Sequence, residues 1–315
     1  MKYLVTGGAG FLGSHLVDEL VRHGDEILAI DDLSTGHIGH LHEAQLRGQV
    51  QLHTMDIRDQ DLRLIAQRFA PQVVVHLAAQ ASVAASVEDP IRDADINVLG
   101  TINVLEAAKR SGAQRVVYSS SGGAIHGAGS KLPTKETHVA RPEAPYGVSK
   151  LASMEYLPLY KRAHGLDYVT LLLSNLYGPR QSATTEGGVV AIFIKTLLAG
   201  GTPTVHGDGS HTRDLVYVED AVQAFILAAH KGGGRSLHVS SGRETSVSDL
   251  YAAARKVVGG SARPMYGPAR NGDIVRSVLD PSAAFRHLGW KATTSLPAGL
   301  AATAEWFRHN SASLD

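Results

Sequence analysis

A glycine-rich turn between an apolar run and a helical pattern constrains the fold of this chain more than any other feature. The run Tyr3–Thr6 leads into Gly7–Gly13 (GGAGFLG), and leucines then recur at helical spacing up to Gly24. Without Cβ atoms such a turn tightens, and its backbone amides approach a pyrophosphate at the positive end of the helix. The turn therefore predicts a dinucleotide site; the alternative is an ordinary strand–helix turn.

Short β-branched runs alternate with helical patterns through the first half of the chain. One helix opens at Asp89-Pro90, a cap followed by a first-turn proline, and runs to Gly112. Six runs lack polar alternation, which is typical of strands buried on both faces of a parallel sheet. They are Tyr3–Thr6, Glu26–Ile30, Val50–Thr54, Val73–Leu77, Arg115–Ser119 and Tyr168–Leu173. The alternation predicts an α/β fold with a doubly wound parallel sheet.

The length of 315 residues predicts about two domains, at roughly 150 residues each. After about residue 174, prolines and glycine pairs separate shorter elements. We expect residues 1–174 to form the dinucleotide-binding domain and residues 175–315 a smaller α/β substrate domain. A segment near 213–241 is expected to pack back on the first domain.

The composition excludes several classes of function. Thirty basic residues balance thirty acidic ones, which argues against a nucleic-acid partner. The chain has no cysteine, and its 16 histidines show no HExxH spacing, so no disulfide and no metal site is predicted. No basic leader opens the sequence, and the apolar runs are far shorter than the roughly 18 residues of a membrane span. We expect a cytoplasmic protein without a membrane partner.

Acidic and small residues follow the predicted strands, where the loops of this fold meet a ligand. Asp31 ends the second run, 18 residues after Gly13, where a carboxylate accepts bonds from ribose hydroxyls and repels a 2′-phosphate. With Asp32 beside it, the pattern favours NAD over NADP, unless Asp31 merely caps the next turn. Three other segments end at the same edge of the sheet: Asp56-Ile57, Leu77–Ala79 and Ser119–Ser121.

Tyr146 and Lys150 have the spacing and placement of an acid–base pair. Four residues apart in a helix that starts after Pro145, they share one face. A free phenol has a pKa near 10, and lowering that pKa to about 7 requires roughly 4 kcal/mol of preference for the phenolate. One cation at about 4–5 Å supplies roughly 3–4 kcal/mol of this at an effective dielectric near 20. Ser121 is the candidate that orients the reacting hydroxyl, although Ser119 and Ser120 compete for this role.

These residues resemble the extended short-chain dehydrogenases/reductases, a family with a Rossmann fold. The similarity continues through His76–Gln80, Asn97, Asn175–Arg180, Gly207–Gly209 with Arg213-Asp214, and Arg270–Asp273. Together these motifs are similar to the UDP-glucose 4-epimerase group of nucleotide-sugar enzymes. The resemblance implies an isomerase that oxidises C4 of a UDP-hexose with bound NAD, rotates the ketone and returns the hydride to its other face, as in galactose metabolism.

The resemblance implies roles for individual residues. The catalytic residues would be Ser121, Tyr146 and Lys150. The cofactor would contact Gly7, Gly10, Phe11, Leu12, Asp31, Asp32, Ser34, Thr35, Gly36, Asp56, Ile57, Leu77, Ala78, Ala79, Gln80, Asn97, Ser119, Tyr146, Lys150 and Leu176. The substrate would contact Ser121, Tyr146, Asn175, Gly188, Val189, Thr204, His206, Arg213, Arg270, Asp273 and Ser277.

Single residues separate the subgroups of this family. Dehydratases carry an Asp-Glu pair after the Ser or Thr, whereas this chain has Gly122-Gly123, which cannot transfer protons. Asn175 and Ser182 lack the pattern of glucuronate-specific relatives, which favours a neutral sugar. Ser277 occupies the gate position and indicates tolerance for N-acetylhexosamines, or is simply a small loop residue. The alternatives are an enzyme for another sugar, such as UDP-glucuronate or a dTDP-sugar, and a non-catalytic NAD-binding protein.

The family resemblance also implies a homodimer. Its interface would pair Ile91–Arg110 with the Tyr146 helix in a four-helix arrangement. Pro158 lies inside that helix and is expected to kink it beyond Lys150, because proline removes one backbone hydrogen bond.

Overall fold

The computed structural model describes residues 1–127, 131–183, 188–261, 263–269 and 274–310. Its strands are β1 (Lys2–Thr6), β2 (Glu26–Asp31), β3 (Val50–Thr54), β4 (Val73–His76), β5 (Arg115–Ser121), β6 (Asp167–Leu173), β7 (Asn175–Tyr177), β8 (Thr204–His206), β9 (Thr212–Arg213), β10 (Leu215–Tyr217), β11 (Arg235–Val239), β12 (Thr245–Ser246) and β13 (Met265–Gly267).

Seven of these strands form one parallel sheet in the order β11-β6-β5-β4-β1-β2-β3. The chain winds from β1 through β2 to β3, then returns to the other side of β1 with β4. This reversal is the switch point of a doubly wound sheet, beside which such folds bind ligands at the carboxyl ends of the strands. The predicted fold class is confirmed, and the six predicted strands differ from the observed ones by at most two residues at either end.

Helices cover both faces of the sheet. They are α1 (Phe11–Arg22), α2 (His42–Arg47), α3 (Asp61–Phe69), α4 (Val83–Glu88), α5 (Pro90–Ala94), α6 (Gly100–Ser111), α7 (Gly122–His126), α8 (Pro145–His164), α9 (Val189–Leu198), α10 (Val218–His230), α11 (Val247–Val258), α12 (Ser282–Leu288) and α13 (Leu296–Asn310). A 3₁₀ turn, Ile38–Leu41, precedes α2, and a π-helical turn, Asp95–Leu99, joins α5 to α6.

The helix predicted from Asp89 to Gly112 is thus divided into α5, the π-helical turn and α6. Its start follows the sequence signal: the Asp89 carboxylate accepts the backbone N–H of Arg92 at 2.9 Å, and Pro90 takes the first position. Its end is Gly112, whose φ of +74° closes the helix in the left-handed region. The helix α8 continues through Pro158 as one element.

Alternate residues of each central strand pack into different apolar clusters. Tyr3 and Val5 of β1 join one cluster, while Leu4 joins a second, so the sheet separates two cores. The first includes residues of α1 and α10, and the second includes residues of α3, α6 and α8. A third core lies among α9, α11 and α13. The sheet is therefore held from both faces, which fixes the strand ends that carry the site.

The chain after residue 174 contributes one strand to the large sheet and forms the short strands outside it. Its strand β11 lies at the edge of the large sheet, beside β6. The other strands of this part form three two-stranded sheets: β7 with β10, β9 with β12, and β8 with β13. No helix within the described residues is long and apolar enough to cross a membrane.

Candidate active site

A cavity of about 710 Å³ opens along the carboxyl ends of β1, β2, β4 and β5. Its volume lies in the range of pockets that enclose cofactors and other small ligands. Residues predicted from the sequence line much of it: Gly7, Gly10, Phe11, Leu12, Asp31, Asp32, Ser34, Thr35, Asp56, Ile57, Leu77, Ala78, Ala79, Gln80, Ser119, Ser121, Tyr146, Lys150 and Leu176. The fold thus gathers segments that are more than 100 residues apart in sequence.

The glycine-rich turn is packed so closely that side chains do not fit at several of its positions. A Cβ atom on Gly13 would lie 2.0 Å from the carbonyl oxygen of Gly7, and one on Gly7 would lie 2.8 Å from the backbone nitrogen of Ala78. Gly7 also has a φ of +70°. The helix α1 therefore starts directly against β1, and its first turn points its amides at the cavity.

Asp31 lies at the end of β2 and is itself held by this turn. Its Oδ2 accepts the backbone N–H of Ala9 at 2.9 Å, and its Oδ1 accepts that of Leu33 at 2.9 Å. Burial raises the pKa of the carboxyl, while the backbone hydrogen bonds lower it. Gly36 packs against the same carboxylate, since a Cβ there would lie 2.6 Å from Oδ1.

These features fit a bound NAD. A carboxylate has four lone-pair positions, and Asp31 keeps acceptor capacity beside the backbone amides of Ala9, Gly10 and Leu33. The cradle of Gly7 and Gly13 leaves no side chain between the helix start and the cavity. NAD would therefore lie with its pyrophosphate on the turn and its adenosine ribose at Asp31.

The opposite part of the cavity carries the predicted reacting residues. Tyr146 lies in the first turn of α8, directly after Pro145, and Lys150 lies one turn further along. Lys150 is only 4% exposed, with its Nζ 4.6 Å from the centre of the Tyr118 ring. Burial lowers the pKa of the lysine below its usual value, and its charge interactions with Tyr146 and Asp93 offset only part of this lowering.

The three serines at the end of β5 differ in their surroundings. Ser121 caps α7, because its Oγ accepts the backbone N–H of Ala124 at 3.3 Å. Its hydroxyl proton is therefore available for another acceptor. Ser120 is 3% exposed, whereas Ser119 and Ser121 are half-buried. All three serines line the cavity, so the choice among them, with Ser121 as the candidate, remains a prediction.

Asn97 lies behind the cavity and does not line it. Its side chain is 2% exposed, with Oδ1 accepting the backbone N–H of Gln80 at 2.9 Å and Nδ2 donating to the carbonyl oxygen of Gln80 at 2.9 Å. Asn97 thus fixes the loop that follows β4. Its contact with a cofactor, implied by the family resemblance, remains a prediction.

Among the described residues, the predicted substrate residues that do not line the cavity are Asn175, Gly188, Val189, Thr204, His206, Arg213 and Ser277. Thr204 and His206 are in β8, and His206 Nδ1 lies 3.1 Å from the carbonyl oxygen of Pro268. The guanidinium of Arg213 donates to the carbonyl oxygen of Ile274 at 2.6 Å. Asn175 begins β7, and Val189 begins α9.

Close contacts at two glycines link the predicted substrate residues to the cavity. A Cβ on Gly123 would lie 3.7 Å from the Ser277 hydroxyl, so Ser277 faces the helix that Ser121 caps. A Cβ on Gly188 would lie 2.4 Å from Nε2 of Gln181, which lines the cavity. Arg270 and Asp273 lie outside the described residues.

The cavity also contains charged residues to which the sequence analysis assigned no role. Arg180 has a φ of +66° and forms an ion pair with Asp18 at 2.7 Å. Asp93, Arg92 and Arg58 line the wall as well. Arg180 belongs to the Asn175–Arg180 motif, whereas no local sequence signal marks Asp93. Within the described residues no three His, Asp or Glu side chains form a metal-binding group.

The fold and the site define the class of protein. The chain belongs to the family whose model is described as GDP-mannose 4,6 dehydratase, which matches residues 4–303. This places it among the extended short-chain dehydrogenases/reductases, as the motifs implied.

Individual relatives narrow the class. UDP-glucose 4-epimerase from Mycolicibacterium smegmatis is 44% identical over 99% of this chain and 100% of its own length. A crystal structure of UDP-glucose 4-epimerase from Thermotoga maritima with UDP-glucose is 41% identical, with a TM-score of 0.95 over 98% of this chain and 99% of that one. The enzyme of the same name from Thermus thermophilus, in complex with NAD, is 37% identical, with a TM-score of 0.90 over 98% and 99%.

Proposed function

We propose that this protein is an NAD-dependent 4-epimerase of UDP-hexoses, acting through transient oxidation at C4. One observation carries the proposal: Ser121, Tyr146 and Lys150 line the same cavity as the glycine-rich turn and Asp31. The three relatives named above, which cover nearly the whole chain, support the same function.

The cofactor would be held by the turn, by Asp31 and by the loop after β4. When bound, NAD would supply the acceptor for a hydride from C4 of the sugar and the donor for its return, so that no net oxidation results. The residues of the chain must therefore move only a proton and hold the sugar in line.

Tyr146 would take and return the proton of the 4-hydroxyl. A phenol needs roughly 4 kcal/mol of preference for its ionised form to act near pH 7. Lys150 provides that preference as a buried cation on the same helix face, where little water screens the interaction. The expected base is thus Tyr146, tuned by Lys150.

Ser121 would donate its free hydroxyl proton to the same sugar oxygen, since its Oγ already accepts a backbone N–H. The residues proposed to hold the rest of the nucleotide sugar are Asn175, Gly188, Val189, Thr204, His206, Arg213, Arg270, Asp273 and Ser277. The small side chain of Ser277, which faces Gly123, supports a proposal that N-acetylhexosamines also fit.

Interconversion of UDP-galactose and UDP-glucose tests this function. We expect the purified, NAD-loaded protein to equilibrate the two sugars without net NADH release, and the N-acetyl forms should be assayed in parallel. Absence of interconversion with NAD bound would contradict the proposal. Net NADH release, or turnover of only UDP-glucuronate or a dTDP-sugar, would favour the alternative enzymes.

A dehydratase activity is disfavoured by the helix that follows Ser121. Its first residues are Gly122 and Gly123, which carry no proton-transfer group. A non-catalytic NAD-binding protein is disfavoured because Tyr146 and Lys150 both face the cavity. That alternative would gain support if Tyr146→Phe left the function unchanged.

We also propose that the protein acts as a cytoplasmic homodimer, and that residues 1–174 and 175–315 serve as cofactor and substrate domains. Exposed apolar side chains support the dimer: Ile91 is 82% exposed and Leu99 57%. Ile91→Asp should shift sedimentation towards the monomer, whereas Val139→Asp, at an exposed valine elsewhere, should not. A wild-type monomer at micromolar concentration would contradict the proposal.

A further inference from the structure

A buried carboxylate with no role in the proposed mechanism lies in the wall of the cavity that holds Lys150. Asp93 of α5 is fully buried and lines the same cavity as Lys150. Its Oδ1 accepts from Nε2 of Gln80 at 2.8 Å and from Nδ2 of Asn97 at 3.0 Å. Its Oδ2 accepts from the hydroxyl of Ser149 at 2.5 Å. These donors are neutral, so they fix the carboxylate without cancelling its charge.

Lys150 needs a source of negative charge to remain an ammonium. Only 4% of it is exposed, and burial disfavours a charged amine. The face of the Tyr118 ring, 4.6 Å from Nζ, offers a partial compensation. Burial lowers the pKa of Lys150, and the two groups that raise it are Tyr146 and Asp93.

The other titratable groups around Lys150 are neutral when Tyr146 is a phenol. His76 of β4 has its pKa lowered to about 3 by burial and by the charge of Lys150, so it carries no charge near neutral pH. Tyr118 of β5 has its pKa raised by burial. Among the described groups that act on Lys150, Asp93 is therefore the one carboxylate.

We propose that Asp93 is a positioning residue that keeps Lys150 in its ammonium form through the stages in which Tyr146 is protonated. The inference rests on the proposed function, in which Tyr146 alternates between phenol and phenolate. Each time the phenolate takes up a proton, Lys150 loses one source of negative charge. Asp93 retains the cation for the next proton transfer.

The Asp93→Asn variant removes the charge and keeps the shape. Its amide oxygen still accepts from Gln80 and Asn97, and the Ser149 hydroxyl can reverse to accept from the new N–H. Ser149→Ala is the matched control, because it removes one hydrogen bond and keeps the carboxylate. The titration of Lys150 is followed by NMR of the ¹³Cε resonance in NAD-loaded protein, assigned by its loss in Lys150→Met.

We expect Asp93→Asn to lower the titration midpoint of Lys150 by about one pH unit, and Ser149→Ala to shift it by less than about 0.3 units. The alkaline limb of the epimerase pH profile should move down by the same amount in Asp93→Asn. An unchanged Lys150 midpoint in Asp93→Asn would overturn the proposal.

A second measurement covers the case in which Asp93→Asn does not fold. Because the coupling is reciprocal, Lys150→Met should raise the pKa of the Asp93 carboxyl by a similar amount, read from its ¹³Cγ resonance. An unchanged Asp93 pKa would refute the coupling. Both titrations are independent of turnover, so failure of the proposed function would appear separately, as absent epimerisation in the wild-type protein.

Discussion

Replacement of Gly13 by alanine tests the packing of the glycine-rich turn. The new Cβ would lie 2.0 Å from the Gly7 carbonyl oxygen and 2.9 Å from the Gly8 Cα, and both atoms belong to the backbone. An ordinary contact is about 3.4 Å, so α1 must move away from β1 by more than 1 Å. Overpacking of this kind lowers the free energy of unfolding by about 1–3 kcal/mol. Because the neighbouring atoms belong to the rigid backbone, we expect Gly13→Ala to lie at the upper end of this range.

The control is Gly10→Ala in the same turn. Gly10 has an ordinary φ of −75°, and its Cβ would meet only the Gly7 oxygen, at 3.2 Å. In thermal unfolding followed by circular dichroism without NAD, Gly13→Ala should melt about 4–5 °C below the wild type, and Gly10→Ala within about 1 °C of it. Equal melting temperatures for Gly13→Ala and the wild type, with equal affinity for NAD, would refute the reasoning.

Three further outcomes are expected. Tyr146→Phe should lower kcat by at least about 10²-fold while NAD stays bound, measured by epimerase assay and by release of the nucleotide on denaturation. Asp31→Asn should weaken NAD binding by about tenfold and reduce the ratio of the affinities for NAD and NADP, both measured by calorimetry. An unchanged affinity ratio would contradict the role of Asp31. Burial raises the pKa of Asp167, but hydrogen bonds from Lys161 and Arg115 outweigh it and hold that pKa below its ordinary value. The ionised Asp167 therefore contributes about 1 kcal/mol to the free energy of unfolding above pH 4. This contribution is lost as the pH falls through the pKa of Asp167 in the folded protein. Asp167→Asn should be less stable than the wild type in urea at pH 7 and nearly equal at pH 3; an equal loss at both would contradict this assignment.

The sheet and the cofactor end of the site were predictable because their signals are local. A strand, a glycine-rich turn and the stripe of α1 follow one another in the sequence, and Asp31 follows the next strand. Each parallel strand then brings its carboxyl end to the same edge. The pairing of Tyr146 with Lys150 needed only helical spacing.

The rest depends on contacts between distant segments. Asp93 resembles a surface acid in the sequence, and only the structure shows that it is buried, with three bonds to residues up to 56 positions away, in the cavity that Lys150 also lines. The division of α5 from α6 by a π-helical turn also left no local signal. The substrate side relies on short strands and loops, whose positions follow from packing rather than from periodicity.

The most direct test of the central claim is the fate of a hydrogen isotope at the reacting carbon. UDP-glucose deuterated at C4 is incubated with the NAD-loaded protein in ordinary water, and the UDP-galactose formed is analysed by NMR. In the proposed mechanism the same hydride returns to C4, and Tyr146 moves only the hydroxyl proton. Deuterium should therefore remain at C4 of the product. Loss of the deuterium to solvent would show proton exchange at carbon and would contradict the account.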